Sequence, residues 1–543
     1  MNSPPAAIPS SLPPPSPAEA QASPGRDRRL WWGFGLILLV GGAARLLAYA
    51  HARSLWLDEV LLARNILDRS FLDLLEPLEG KQVAPVGFLW LVKSATLALG
   101  DHEWGLRLMP LLAGLLALAL FLPLVKQVTS WRGQLVALAL FAASASLVWF
   151  SNELKQYGFD ALSAVVLLLL GLRLLAGAGG AGRWLALAGV GVLCLFVSHA
   201  SVFIAGGVAA VLTLNRAAQR QWAAAGAATL IGLLWAGCFV LMYLLFYQTA
   251  AGDSFLVTYW SSKFMPLVPD SAQDLKWFFT SLHVLFEGAM GGREPILGSW
   301  FTGLWIVLAL VGCYAVGSRR GWVLAMLLSP LPFALLASGL GKYPFEQRLL
   351  LFAAPPALAL MGAGAGFLAE AAAGQARRGG VVVIAAVLVF PALHVVNRMA
   401  RPYTWEEMRP LCARLLERLD EDKDAVLYVE KLSRPAFFFY WPRQGGGEVE
   451  VLPASYLASD PQLLERDLAL MRSHGRVWVL MSHDTPMANG YSVRSLLHQE
   501  LGQAGTLIEQ IRIEGAEASL YDLNRSPDAP SPPEPENDDA PDR

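Results

Sequence analysis

Charge is what this sequence has least of. Only 16% of its 543 residues are Asp, Glu, Lys or Arg, against 55% hydrophobic residues, and mean hydropathy is +0.44. A soluble globular chain carries about a quarter charged residues, so an ordinary cytosolic protein is excluded. The net charge of −2 removes the electrostatic case for a nucleic-acid partner. Cysteine is equally scarce: Cys194, Cys238 and Cys313 fall in apolar runs and Cys412 in a helix-like segment. No pair has the spacing of a zinc site or a disulfide framework, so all four are read as small packing residues.

What the chain does have is apolar runs of bilayer-spanning length. Eleven spans are expected, at 31–50, 107–125, 134–150, 158–175, 184–198, 201–214, 223–247, 300–317, 321–340, 349–370 and 380–396. The basic residues orient them. Arg28, Arg29, Lys126, Arg132, Arg173, Arg183, Arg216, Arg220, Arg319, Arg320, Arg377 and Arg378 all fall on one side if the N-terminus is cytoplasmic. The apolar stretch 84–100 carries Lys93 and would flip every later loop if it spanned, so it is expected to lie on the outer surface. Residues 184–214 are expected to form two short helices joined at Ser198–His199 for the same reason of parity.

The expected organisation follows. Residues 1–29 form a disordered Pro-rich cytoplasmic tail, and 30–400 a polytopic α-helical membrane domain with outer loops at 51–106 and 248–298. Residues 401–524 alternate helical and strand patterns and form a soluble α/β domain. An odd span count puts that domain outside the cytoplasm, and 525–543 is a disordered acidic tail.

Several outward-facing residues carry chemistry. Asp58–Glu59, in SLWLDEVLL at the edge of the first span, reads in two ways. Asp58 is a helix N-cap with Glu59 in the first turn, or the pair is a base whose pKa is raised by burial and like charge. SNELKQYGFD, 151–160, offers Glu153, Lys155, Tyr157 and Asp160, as a polar loop or as a phosphate and sugar contact. Arg348 in GKYPFEQRLLLF, with Tyr343 before it, is a snorkelling anchor or a partner for a lipid phosphate. His199, in the turn of SHASVF, is a structural histidine or a ligand contact. Arg45 lies at membrane depth and must face protein or water. The loop 248–298 adds Lys263, His283, Glu287 and Arg293 among many aromatics, as a lid or an interfacial element.

The ordered set of SLWLDE, QVAPVGFLWLVKSATLALGDHEWGLRLMP, SNELKQYGFD, SHASVF and YPFEQRLLLFAAPPALAL resembles the GT-C membrane glycosyltransferases, over about residues 31–400. Within them the resemblance is to bacterial relatives of protein O-mannosyltransferases and aminoarabinose transferases. It implies a multi-pass inner-membrane enzyme with its cavity at the outer face. The donor would be a sugar on a polyprenyl phosphate, and the acceptor a hydroxyl of an envelope glycolipid, glycan or protein, attacked with inversion. Asp58 and Glu59 would be catalytic, and Gln82, Glu153, Lys155, Tyr157, His199, Tyr343 and Arg348 would bind substrate. Some members use a divalent metal, so a cofactor is left open. The family often has two prolines where this chain has Ala84–Pro85, and Arg where it has Lys155, which lacks the bidentate fork. The rival function is a transporter or flippase of lipid-linked glycans. That would place ionisable groups near the midplane in repeated halves, and no repeat is evident.

Overall fold

A computed structural model describes residues 24–177, 180–248, 258–291, 297–371, 375–400, 404–421, 426–457, 460–484 and 492–524. The tails expected at 1–23 and 525–543 lie outside the described residues, as do parts of the loop 248–298.

Among the described residues, seven helices are long and apolar enough to cross a membrane: Arg28–Ala50, Glu103–Val125, Tyr157–Ala176, Ser201–Ala218, Trp222–Tyr247, Gly321–Gly339 and Gln347–Glu370. Shorter apolar helices stand at the four remaining expected positions, at Trp131–Ala143, Ala181–Val197, Phe301–Gly317 and Ile384–Met399. The chain is a multi-pass α-helical membrane protein with a small C-terminal sheet domain. The first helix, α1 (Pro24–Ala50), starts inside the expected tail, so 24–29 are helical.

Local chemistry explains the breaks. The span expected at 134–150 is two helices, Trp131–Ala143 and Ala145–Trp149. Ser144 parts them: its hydroxyl accepts from the Leu147 N–H and donates to the Ala289 carbonyl at 2.6 Å. The span at 349–370 opens as a 3₁₀ turn, Gln347–Ala353, before the helix Ala354–Ala371. Pro355 and Pro356 lack the N–H groups that would donate to the carbonyls of the preceding turn in an α-helix. Residues 184–214 are two helices, Ala181–Val197 and Ser201–Ala218, with Ser198 and His199 between them.

Between the first two long helices, α2 (Leu57–Asp68) and α3 (Val86–Leu99) form the first loop. In α3, Val86, Phe88, Leu89, Val92 and Ala95 are buried while Trp90, Leu91, Leu97 and Leu99 are exposed. That two-faced apolar pattern suits a helix lying at an interface.

The C-terminal domain carries a five-stranded mixed sheet in the order β2-β1-β3-β5-β4. β1 (Val426–Val429) is parallel to β2 (Val451–Leu452) and to β3 (Arg476–Met481). β5 (Ala516–Asp522) runs antiparallel to β3 and to β4 (Thr506–Ile513). The five expected strands all form, although the segment 447–453 contributes only two residues. The helix expected from about 402 begins at Met408, because Trp405, Glu406 and Glu407 are drawn into contact with the membrane domain.

This domain is no loose appendage. One hydrophobic core contains Leu55, Val60, Leu62 and Ile66 of the first loop together with Leu411, Phe437, Tyr440 and Trp441. The Leu55 N–H donates to the Tyr440 hydroxyl at 2.7 Å, and that hydroxyl donates to Glu103 at 2.9 Å. Arg409 pairs with Glu103 at 2.9 Å, and the Ser54 hydroxyl donates to Glu407 at 2.8 Å. Gly515, in the β4–β5 turn at φ +72°, rests against Trp405, whose carbonyl oxygen would lie 1.4 Å from an added Cβ. Only glycine fits that turn and that approach.

Candidate active site

Beneath this junction lies a cavity of about 1910 Å³. Asp58, Gln82, Glu153, Lys155, Tyr157, His199, Tyr343 and Arg348 all line it, so eight of the nine expected site residues share one wall system. Glu59 does not line it.

Asp58 is not the N-cap. Trp56 holds that position, and Asp58 sits in the first turn of α2. Its Oδ2 lies 3.1 Å from Arg348 Nη1 and 3.9 Å from Lys155 Nζ. Lys155 also donates to Gln82 Oε1 at 2.6 Å. Arg348 lies over the Trp260 ring, 5.7 Å from its centroid. Two cations thus meet one carboxylate across elements nearly 300 residues apart in the chain, a pair of charges disposed to hold an anion.

Glu59 has another task. It is fully buried, and accepts from Arg107 Nε at 2.8 Å and Nη2 at 2.6 Å, from Arg53 Nη1 at 2.8 Å and from the Leu154 N–H at 2.7 Å. Its carboxylate ties the first loop, the helix Glu103–Val125 and the 151–156 loop together. Glu59, expected beside Asp58 at the site, is engaged by these partners and does not line the cavity.

The expected pKa pattern is also corrected. Burial would raise Asp58, but the Lys155 and Arg348 charges outweigh it and hold the carboxyl below its usual range. Burial would raise Glu59 too, and Arg107 and Arg53 hold it low. Glu153, at the cavity wall, is raised, by burial and then by the charge of Glu59. Trp149 Nε1 donates to Glu153 Oε2, and Oε1 finds no partner among the described residues. Burial lowers Lys155, with Asp58 opposing.

His199 packs edge-on against Tyr247 at 4.7 Å, and its buried Nε2 is unpartnered among the described residues. Burial pulls its pKa down to about 4, so it stands neutral at working pH. The Tyr343 hydroxyl donates to the Leu349 carbonyl at 2.7 Å. Asp160 is held by the Ser198 hydroxyl at 2.6 Å and does not line the cavity. Arg45 is fully buried against backbone carbonyls, with Nη1 donating to Gly41 at 2.9 Å, so its place is within the helix bundle. In the segment 248–298, Lys263 and Glu287 line the cavity, His283 does not, and Arg293 lies outside the described residues.

Sequence reasoning missed the contribution of the C-terminal domain. Trp405 and His483 line the cavity, and Glu406 bridges His483 Nδ1, at 2.6 Å, to the Leu57 N–H, at 3.1 Å. The only signal was the carboxylate pair of YTWEEM after the last span, and nothing in its spacing ties it to Asp58. Among the described residues no group of three or more His, Cys, Asp or Glu could hold a metal ion. Asp58 is paired there with Arg348 and Lys155.

The sequence matches no known family profile and no curated protein. Solved structures do match. The archaeal oligosaccharyltransferase AglB from Archaeoglobus fulgidus, in complex with an inhibitory peptide and a dolichol-phosphate, superposes with a TM-score of 0.53 at 12% identity, over 92% of this chain and 74% of that one. This chain has the GT-C fold. The apo form of the Archaeoglobus fulgidus enzyme gives 0.53 at 10% identity over 85% and 70%. ArnT from Cupriavidus metallidurans bound to undecaprenyl phosphate gives 0.49 at 11% identity over 90% and 98%.

Proposed function

We propose that this protein is a membrane glycosyltransferase. It moves a sugar from a polyprenyl-phosphate donor to a hydroxyl of an envelope glycolipid, glycan or protein at the outer face of the cytoplasmic membrane. The N-terminus is cytoplasmic and the C-terminal domain extracytoplasmic in this reading.

One observation carries the proposal: a single cavity is lined both by a polar cluster and by apolar side chains of helices long and apolar enough to cross a membrane. Its lining includes Asp58, Lys155 and Arg348 together with Phe239, Phe333 and Leu336, the last 55% exposed. A donor with an anionic head and a long hydrocarbon tail needs both at once. AglB, of the same fold, was solved with a dolichol-phosphate.

In this mechanism the donor phosphate lies between Lys155 and Arg348. It takes over the cations that pin Asp58, and the carboxylate becomes free to accept a hydrogen bond from the acceptor hydroxyl. The hydroxyl oxygen bonds to the anomeric carbon from the opposite face and the carbon–phosphate oxygen bond breaks. The electron pair leaves on a phosphate screened by two cations, and the proton passes to Asp58. Glu153 supports a second assignment of the base, because it lines the cavity and its pKa is raised.

Purified protein supplied with a polyprenyl-phosphate sugar tests the proposal. Asp58→Asn should fold normally and lose about 10²–10⁴-fold in rate, the worth of a general base. Donor left unconsumed by wild type, with unmodified lipid crossing vesicles instead, would replace the transferase with a flippase.

A further inference from the structure

The helix that carries Asp58 is not capped by its own sequence. Trp56 stands at the N-cap of α2, and an indole has no oxygen to accept the N–H groups of the first turn. Each N–H from Ser54 to Leu57 nonetheless has an acceptor. Trp56 uses Glu59, at 3.4 Å. The C-terminal domain meets the other three: Ser54 through Glu407 at 3.2 Å, Leu55 through the Tyr440 hydroxyl, and Leu57 through Glu406 at 3.1 Å. Glu406 therefore caps α2 from 349 positions along the chain, and its charge suits the positive end of the helix dipole.

Glu406 is itself fixed from behind. It is 2% exposed, and its Oε1 lies 2.6 Å from His483 Nδ1. An ionised carboxylate only accepts, so Nδ1 carries the proton. The Ser433 hydroxyl accepts from the N–H groups of Ser482, at 2.9 Å, and His483, at 3.4 Å, and donates to Glu430 at 3.1 Å. A row of bonds thus runs from the end of β3 through His483 and Glu406 to Leu57, one residue before Asp58. Glu406 does not line the cavity, so whatever it does for the site it does through α2.

We propose that Glu406 is a positioning residue for Asp58, and that the C-terminal domain serves the reaction by capping α2. The inference rests on the glycosyl-transfer reading for the rate it protects, but not for the hold on α2. Asp58 is pinned by Arg348 and Lys155 while the site is empty. Once a donor phosphate takes those cations, its carboxylate loses the side-chain partners that fix it. The backbone of the first turn then sets where it stands, and Glu406 holds that turn.

The test uses the full-length protein in membrane vesicles from cells that express it, supplied with undecaprenyl-phosphate mannose, glucose or galactose. Glu406→Ala should lower kcat about 10²-fold, the cost of a small misplacement of a reacting group, and leave the donor KM unchanged. Glu406→Gln should recover most of the rate. Its amide oxygen accepts from Leu57 and its NH₂ donates to His483 in the other tautomer. In an Asp58→Asn background Glu406→Ala should cost nothing further, because the group it positions is already gone. Arg443→Ala, which breaks another contact of the same junction, to Asp101 at 3.1 Å, should leave kcat unchanged. Hydrogen exchange at residues 57–62, read in micelles without donor, should rise about tenfold in Glu406→Ala, the worth of one cap, and not in Glu406→Gln. Gel filtration checks that each variant stays folded. The proposal is overturned if exchange does not rise, if KM rises in place of the fall in kcat, if Gln is as slow as Ala, if the loss multiplies with that of Asp58→Asn, or if Arg443→Ala slows turnover equally. Should wild type consume no donor, the transferase reading fails, and exchange alone decides the hold on α2.

Discussion

Replacing Glu59 by Gln separates scaffolding from chemistry in the first outer loop. The substitution keeps the shape and deletes the charge. Arg53 and Arg107, 6% and 2% exposed, then lie buried around a neutral amide, and the Leu154 N–H loses its ionised acceptor. Breaking a buried pair by removing one partner costs about 3–5 kcal/mol, since the remaining charge cannot return to water. Asp58→Asn, at a side chain 25% exposed, should cost less than about 1 kcal/mol. Thermal unfolding in detergent, followed by fluorescence-detected gel filtration, should therefore show a large drop for Glu59→Gln and almost none for Asp58→Asn. A second cycle sharpens the point. Adding Arg107→Gln to Glu59→Gln removes a cation with the anion, so the double variant should be less destabilised than the two single losses added together. Burial opposes ionisation of Glu59, yet Arg107 and Arg53 hold its folded pKa below the unfolded value. Its stabilisation is therefore present above the ordinary glutamate range and is lost as pH falls through the folded value. A Glu59→Gln protein as thermostable as wild type would refute the clamp. One that is equally stable but inactive would return Glu59 to the chemistry.

The remaining predictions concern the cavity and its support. Arg348→Lys keeps a charge but loses the planar fork, and should raise the donor KM about tenfold with little change in stability. With Asp58 as base, the rate should fall only as pH drops below the usual carboxylate range, because Lys155 and Arg348 hold the free-enzyme carboxyl low. With Glu153 as base, the inflection lies well above that range and disappears in Glu153→Gln. Gly515→Ala meets the Trp405 carbonyl and a left-handed φ. It should cost more than the ~1–2 kcal/mol of the left-handed conformation alone, and hydrogen exchange should rise at residues 404–408 before the rest of the domain.

The sequence alone determined the layers of this protein. Apolar runs, few charges and one-sided arginines dictate a multi-pass helical bundle, because a bilayer accepts only segments that satisfy their own backbone. Period-two apolar patterning after residue 424 likewise dictated the strands of the C-terminal sheet. Eight of the nine expected site residues also line one cavity. Division of labour between Asp58 and Glu59 was beyond the sequence. Adjacent residues on a helix point about 100° apart, and whether each meets solvent or two arginines depends on partners up to 290 positions away. The same holds for Trp405, Glu406 and His483. Their side chains become part of the cavity only because a shared hydrophobic core presses the C-terminal domain onto α2, and that docking is a property of the packed surfaces, not of any local stretch.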